Sequence, residues 1–142
     1  MMNEEIYTKR VSTKWGSLLV ASYQDKICMC DWESRKNKEH IYNRTQRFLG
    51  ARMSDGDSLV IQQVLQQIDE YRRRDRTRFD IPLVYCGTEF QQLVWQCLSN
   101  ISFGSTMSYQ EFASTYFTPM HTRAVASAIS VNPLSLILPC HR

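Results

Sequence analysis

A chain of 142 residues, 43% hydrophobic and 22% charged, is long enough for one ordinary domain or two small ones sharing a core. Its net charge of +3 is only mildly basic, and no apolar run approaches the roughly 20 residues of a membrane span. The polar, acidic start Met1-Met2-Asn3-Glu4-Glu5 does not read as a signal peptide. Five cysteines, at 28, 30, 86, 97 and 140, form no regular framework, and an odd number without an export signal implies reduced thiols in a cytosol. A cytoplasmic monomer is expected, with no membrane association.

In chain order, Ile6 to Val11 alternates Ile6, Thr8 and Arg10 against Tyr7, Lys9 and Val11, the period of a strand. Lys14-Trp15-Gly16 reads as a turn, Ser17 to Tyr23 as a second strand, Gln24-Asp25-Lys26 as a second turn and Ile27 to Trp32 as a third strand of an antiparallel meander. Cys28 and Cys30 lie two apart and should share one face of that strand. They read as small buried apolar residues rather than metal ligands, because His40, Cys86 and Cys97 offer no recognisable zinc spacing. Glu33 to Gly56 is polar and irregular and reads as loop with a single helical turn. Asp57-Ser58 caps a helix to about residue 73, with Ile61, Val64, Leu65, Ile68 and Tyr71 at helical spacing. The basic run Arg72 to Arg78 at its end reads as dipole complement and solvated loop, offset by Asp69, Glu70, Asp75 and Asp80.

Phe79-Asp80-Ile81-Pro82-Leu83 reads as a linker between an N-terminal unit (1–80) and a C-terminal unit (81–142). Thr88 and Gln91 make a capping box, followed by the apolar stripe Phe90, Leu93, Val94, Cys97, Leu98 and Ile101. Trp95 falls off the stripe and is expected either partly exposed or packed on the first unit. Phe103-Gly104-Ser105 ends this helix. Ser108 caps a short helix from Tyr109 to about Tyr116, Thr118-Pro119 breaks it, and a second helix runs from about Met120 to Ser130 with Val125, Ala128 and Ile129 facing in. Short helix, turn and small-residue helix form a helix-turn-helix pattern, which many αα-hairpins that touch no DNA also show. Charge speaks against strong phosphate-driven binding by this half: residues 81–142 hold Glu89 and Glu111 against Arg123 and Arg142, while residues 1–80 hold 15 basic and 12 acidic side chains.

The last eleven residues, Asn132-Pro133-Leu134-Ser135-Leu136-Ile137-Leu138-Pro139-Cys140-His141-Arg142, place an apolar run between two prolines and end on cysteine, histidine and arginine. The run reads as a buried extended segment, with Pro139 stiffening the support of the Cys140 thiol. A thiol near its ordinary pKa is mostly protonated at neutral pH, and a nearby imidazole can take that proton. Neighbours on a strand point to opposite faces, so Cys140 and His141 would need a tight turn or a bridging water. A structural cysteine beside an unrelated histidine is the alternative.

Pro139-Cys140-His141-Arg142, with Asn132-Pro133, Arg123-Ala124-Val125, Gly87-Thr88-Glu89-Phe90-Gln91-Gln92-Leu93-Val94-Trp95 and Gly104-Ser105-Thr106-Met107-Ser108-Tyr109 upstream, resembles the O6-alkylguanine-DNA alkyltransferases (methylated-DNA–protein-cysteine methyltransferases). The likeness is strong from about residue 79 onwards. It implies an α/β N-terminal domain, with a small antiparallel sheet plus helix, followed by a helical winged-helix-like domain with a helix-turn-helix. It also implies double-stranded DNA containing O6-alkylguanine as the partner, no cofactor, no metal, and one alkyl transfer per molecule. Residue by residue, Cys140 matches the alkyl acceptor, His141 the residue that draws its proton through water, and Tyr109 the tyrosine that holds the flipped base. Arg123 matches the finger that fills the flipped base's place, and Asn132 the hinge. Ser108, Thr122 and Arg142 complete the expected DNA contacts. The family continues past this motif with a loop and a helix whose glutamate orients the histidine, so a chain lacking its last loop and helix is expected. Ala126 and Ser127 stand where glycine is common, and Val131 where glycine or a basic residue is. Three other readings remain open: a binder of alkylated DNA that does not repair it, an inactive truncated fragment, and a thiol hydrolase, for which no oxyanion hole is visible.

Overall fold

The computed structural model describes residues 5–101 and 106–138. Strands β1 (Glu5–Thr13), β2 (Gly16–Tyr23) and β3 (Lys26–Trp32) form the expected antiparallel meander. The β2–β3 hairpin turns on Gln24 and Asp25, both at positive φ (50° and 63°), the two-residue turn whose twist matches the flanking strands. A fourth strand, β4 (Arg52–Asp55), pairs in parallel with β1, so the sheet is mixed, in the order β3-β2-β1-β4.

The stretch 33–56 is therefore not a loop. It carries helix α1 (Lys38–Leu49) and β4. Only Ile41 and Thr45 of α1 are buried, and the Thr45 hydroxyl is satisfied by the Ile41 carbonyl at 2.9 Å. A helix that buries so little carries almost no apolar period. Its stop signal is Gly50, left-handed at φ 63°, whose N–H closes on the Gln46 carbonyl.

A bulge in β3 decides the two faces of the sheet. Pairing slips between Ala21 and Ser22, so Ile27 and Cys30 fall on one face while Cys28 and Met29 fall on the other. Cys28 and Cys30 thus do not share a face. Cys28 packs with Ile6, Ile41 and Cys86 under α1. Cys30 packs with Leu18 and Val20 against α2 (Leu59–Arg72), which buries Val60, Ile61, Val64 and Ile68 behind its Ser58 cap. The basic run after α2 is internally neutralised, with Arg72 and Arg73 on Asp69 and Arg76 on Glu70.

The second unit shares this core. Helices α3 (Glu89–Leu98), α4 (Tyr109–Tyr116) and α5 (Thr122–Ser130, entered through the 3-10 turn Pro119–His121) contribute Val94, Trp95, Phe112, Val125 and Ile129 to the cluster that holds Leu18 and Val20. The expected α3 stripe is rotated: Leu93 is 52% exposed and Trp95 is fully buried, with its indole N–H on the Ala128 carbonyl at 2.9 Å. Packing of α5 against that side moves the buried arc. Cys97 is only half-buried. The edge of β3 is closed by two incoming segments. The linker bonds to Ile27 (Ile27 N–H to Pro82 O, 2.8 Å; Val84 N–H to Ile27 O, 3.0 Å). The segment after α5 bonds to Cys30 (Cys30 N–H to Pro133 O, 2.8 Å; Ser135 N–H to Cys30 O, 3.0 Å).

Candidate functional site

The helix-turn-helix pair is α4 and α5, and α4 is firmly capped. Ser108 accepts from the Glu111 N–H, and its own N–H donates to the Glu111 carboxylate, a complete capping box. This holds Tyr109, 39% exposed, as the first residue of α4. The Ser108 backbone and then its side chain hold the Glu111 carboxyl below the usual range. A depressed folded-state pKa gives stability that is present above the unfolded value and lost as pH falls through the folded one. Ser108→Ala should cost about 1 kcal/mol of unfolding free energy at neutral pH. The urea midpoint reads it, and the difference from the parent should shrink once Glu111 is protonated.

Thr122 opens α5 and donates its hydroxyl to the Pro119 carbonyl at 2.9 Å. Arg123 follows, exposed, with Ser127 and Ser130 one and two turns further along the exposed side of the helix. Behind α5, Asn132 is fully buried. Its side-chain amide donates to the Leu138 carbonyl at 2.6 Å, and its side-chain oxygen accepts from the Leu134 N–H at 2.9 Å. One carboxamide thus gathers both ends of the 134–138 run. For this reason the run is not extended: it folds into a turn, with the Leu138 N–H on the Leu134 carbonyl and Leu134 and Leu138 both buried. Cys140, His141 and Arg142, and the expected helix end at 103–105, lie outside the described residues.

The hinge is also held from the first unit, by residues that the sequence reading did not single out. Asp31, 1% exposed, accepts from Arg35 at 2.9 Å and from the Ser135 hydroxyl at 2.5 Å. Arg35 also donates to the carbonyls of Ser130 and Asn132, each at 2.5 Å. Arg44 of α1 donates to the Val131 carbonyl at 2.9 Å and lies 5.2 Å over the Trp95 ring. Three last-turn carbonyls of α5 and its exit are therefore capped by guanidinium groups of the sheet domain. Ser135, the single polar residue in an apolar run, was the signal available: a buried hydroxyl needs a partner.

The other thiols are poor nucleophiles. Burial pushes Cys30 and Cys86 up to about 12 and raises Cys28 and Cys97 as well.

A mixed sheet whose edge strand clamps the exit of a helix-turn-helix, immediately before a cysteine-histidine motif in the sequence, is the arrangement of an alkyltransferase-type fold. The family models agree: "6-O-methylguanine DNA methyltransferase, ribonuclease-like domain" matches residues 6–85 and "6-O-methylguanine DNA methyltransferase, DNA binding domain" matches residues 89–142. The chain belongs to the 6-O-methylguanine DNA methyltransferase family. It is 33% identical over 145 residues to the constitutive methylated-DNA–protein-cysteine methyltransferase of Bacillus subtilis, covering 96% of this chain and 79% of that protein. It is 44% identical over 141 residues to the regulatory protein ada of Salmonella typhimurium, covering 98% of this chain and 39% of that protein. The methylated-DNA–protein-cysteine methyltransferase of Mycobacterium leprae is 48% identical over 80 residues, or 56% of this chain. The chain spans 48% of the M. leprae relative's length and 39% of the S. typhimurium relative's. A DNA complex of Mycobacterium tuberculosis OGT superposes with a TM-score of 0.75 at 28% identity, covering 97% of this chain and 76% of that one. The M. tuberculosis O6-methylguanine methyltransferase structure gives 0.77 at 28% identity, with 96% and 77% covered. Among the described residues, no helix is long and apolar enough to cross a membrane.

Proposed function

We propose that this chain repairs DNA by transferring an alkyl group from O6-alkylguanine in a duplex to Cys140, once per molecule. The alkyl carbon is out of reach in the base stack, so the nucleotide is flipped out, and Arg123 fills the gap it leaves. His141 draws the Cys140 proton through a water, and the thiolate attacks the alkyl carbon. The S–C bond forms as the C–O6 bond breaks, and the electron pair leaves on guanine. Tyr109 hydrogen-bonds the departing base, which takes up a proton. The thioether is not hydrolysed, so the step does not repeat and needs no cofactor.

The observation that carries this reading is the Asn132 clamp. It fastens the end of α5 to residues 134–138, the segment that leads in sequence to Cys140, and so supports coupling of a base-displacing helix to the acceptor segment. The names of the B. subtilis and M. leprae relatives and the DNA-bound M. tuberculosis structure support the same chemistry. Intact mass before and after incubation with a duplex bearing one O6-methylguanine tests it. A gain of one methyl, mapped to the Cys140 peptide, is expected. An unchanged mass would reject transfer; tighter binding of the alkylated than of the plain duplex would then identify a lesion binder.

A further inference from the structure

The recognition half of the chain is neutral in charge, yet a duplex must be held by its phosphates. The missing charge is supplied across the domain boundary. His40, Arg44 and Arg47 stand at i, i+4 and i+7 on α1, a single helical face. They line a cavity of about 560 Å³, whose opposite wall is Thr88 at the cap of α3 and Ser127 and Val131 at the end of α5. No carboxylate lines it among the described residues; Glu39 and Glu89, the nearest acidic residues in sequence, are outside the lining. His40 and Arg47 are exposed and have no ion-pair partner among the described residues, in contrast to Arg72, Arg73 and Arg76.

Arg44 adds a second, independent observation. Its Nε and Nη1 are buried without a hydrogen-bond partner among the described residues, while Nη2 holds the Val131 carbonyl. Burial lowers its pKa, with Arg35 contributing in the same direction, so this cation is under-neutralised where it stands. Its position over Trp95 and against Val131 fixes it at the foot of the cavity.

The cavity is continuous with the exposed side of α5. Ser127, on its rim, lies one turn from Arg123 on the same helical face, about 6 Å along the axis. We infer that the α1 face of His40, Arg44 and Arg47 is a phosphate-binding subsite for the backbone of the duplex that lies on α5. This rests on the DNA-facing reading of α5 and extends it to the sheet domain. Serine and valine at 127 and 131, uncharged, then form a rim between two sources of charge: Arg123 at the start of α5 and the arginines of α1 beyond its end. The phosphate contact carries no sequence information; it sets how firmly and in what register the duplex lies.

The test is fluorescence anisotropy of the 142-residue chain on a short undamaged duplex, titrated at salt concentrations from about 50 to 200 mM. Arg47→Gln should weaken binding and flatten the plot of log K against log salt by about one, equally for unrelated sequences. Arg47→Lys should restore the slope, because a backbone phosphate accepts a point charge as well as a guanidinium. Arg47 is exposed, so both variants should keep the parent's melting midpoint. Should Arg123→Ala weaken binding while Arg47→Gln keeps the parent's slope, the subsite is overturned and the reading of α5 survives. Should Arg123→Ala also leave binding untouched, α5 does not face DNA and both fall.

Discussion

Cys140→Ala should abolish alkyl uptake entirely while leaving the affinity for duplex DNA within a few-fold of the parent. The expectation rests on the state of the other thiols as much as on Cys140. Cys28, Cys30 and Cys86 are fully buried, and Cys30 and Cys86 are pushed up to about 12 by desolvation. At neutral pH such a thiol stays protonated, and only the thiolate attacks. Cys28 lies higher still, because its burial adds to the nearby Cys86. Cys97 is the most accessible of the four, but its thiol is also raised by burial. None of the four is therefore expected to take over as acceptor. The reading is single-turnover mass spectrometry on the variant and the parent, with anisotropy on the same samples. A methyl retained by Cys140→Ala would move the acceptor to whichever peptide carries it, and loss of DNA binding would mean that the substitution acts through the fold.

The sequence showed the meander, α2, α3, α4 and α5, because each has a strong apolar period or a cap that its own residues declare. Thr88 with Gln91 forms the box that its spacing implies, and Ser108 caps α4 as expected, with Glu111 completing a second box. What stayed illegible was decided by partners distant in the chain. Helix α1 buries two residues, so its period is nearly polar, and β4 has meaning only beside β1. The bulge that separates Cys28 from Cys30 arises from a pairing slip against β2, which no count of residues along β3 reveals. Trp95 looked peripheral to α3 because the surface that buries it belongs to α5. The same holds for the candidate site. Asn132, Arg123 and Tyr109 stood out through a motif, but Asp31, Arg35 and Arg44, which grip the exit of α5, lie about 90 to 100 residues upstream, Asp31 at the end of a buried strand and the two arginines in a polar stretch. Arg35 and Arg44 donate to carbonyls and Asp31 holds Arg35 and the Ser135 hydroxyl in place, and the carbonyls they serve are invisible in a sequence.

Asn132 is where the hinge is most exposed to a single substitution. Its side chain makes two bonds of opposite sense, donating to the Leu138 carbonyl and accepting from the Leu134 N–H, in a site with no access to solvent. Asn132→Ala would leave both backbone groups buried and unpaired, at roughly 1–3 kcal/mol each. The expected loss is about 3 kcal/mol, a large part of the 5–15 kcal/mol that holds a domain of this size. Asn132→Asp is the sharper test because it is nearly isosteric. One carboxylate oxygen can still accept from Leu134, but the other would face the Leu138 carbonyl at the 2.6 Å now occupied by an N–H donor. Two acceptors at that distance repel, and a charge is added at a fully buried position, so Asp should destabilise at neutral pH at least as much as Ala. Protonating the carboxyl restores a donor, so the Asp variant should recover part of its stability at acidic pH, where Ala recovers nothing. Urea midpoints at neutral and acidic pH separate the two variants. Equal midpoints for Asp and the parent at neutral pH would mean that the carboxamide is not what gathers the 134–138 turn. If the proposed transfer holds, its rate should fall further than stability alone accounts for, because molecules that remain folded have lost the tie between α5 and the 134–138 segment that precedes Cys140 in sequence. A variant that is folded, DNA-bound and as fast as the parent would detach the hinge from the chemistry.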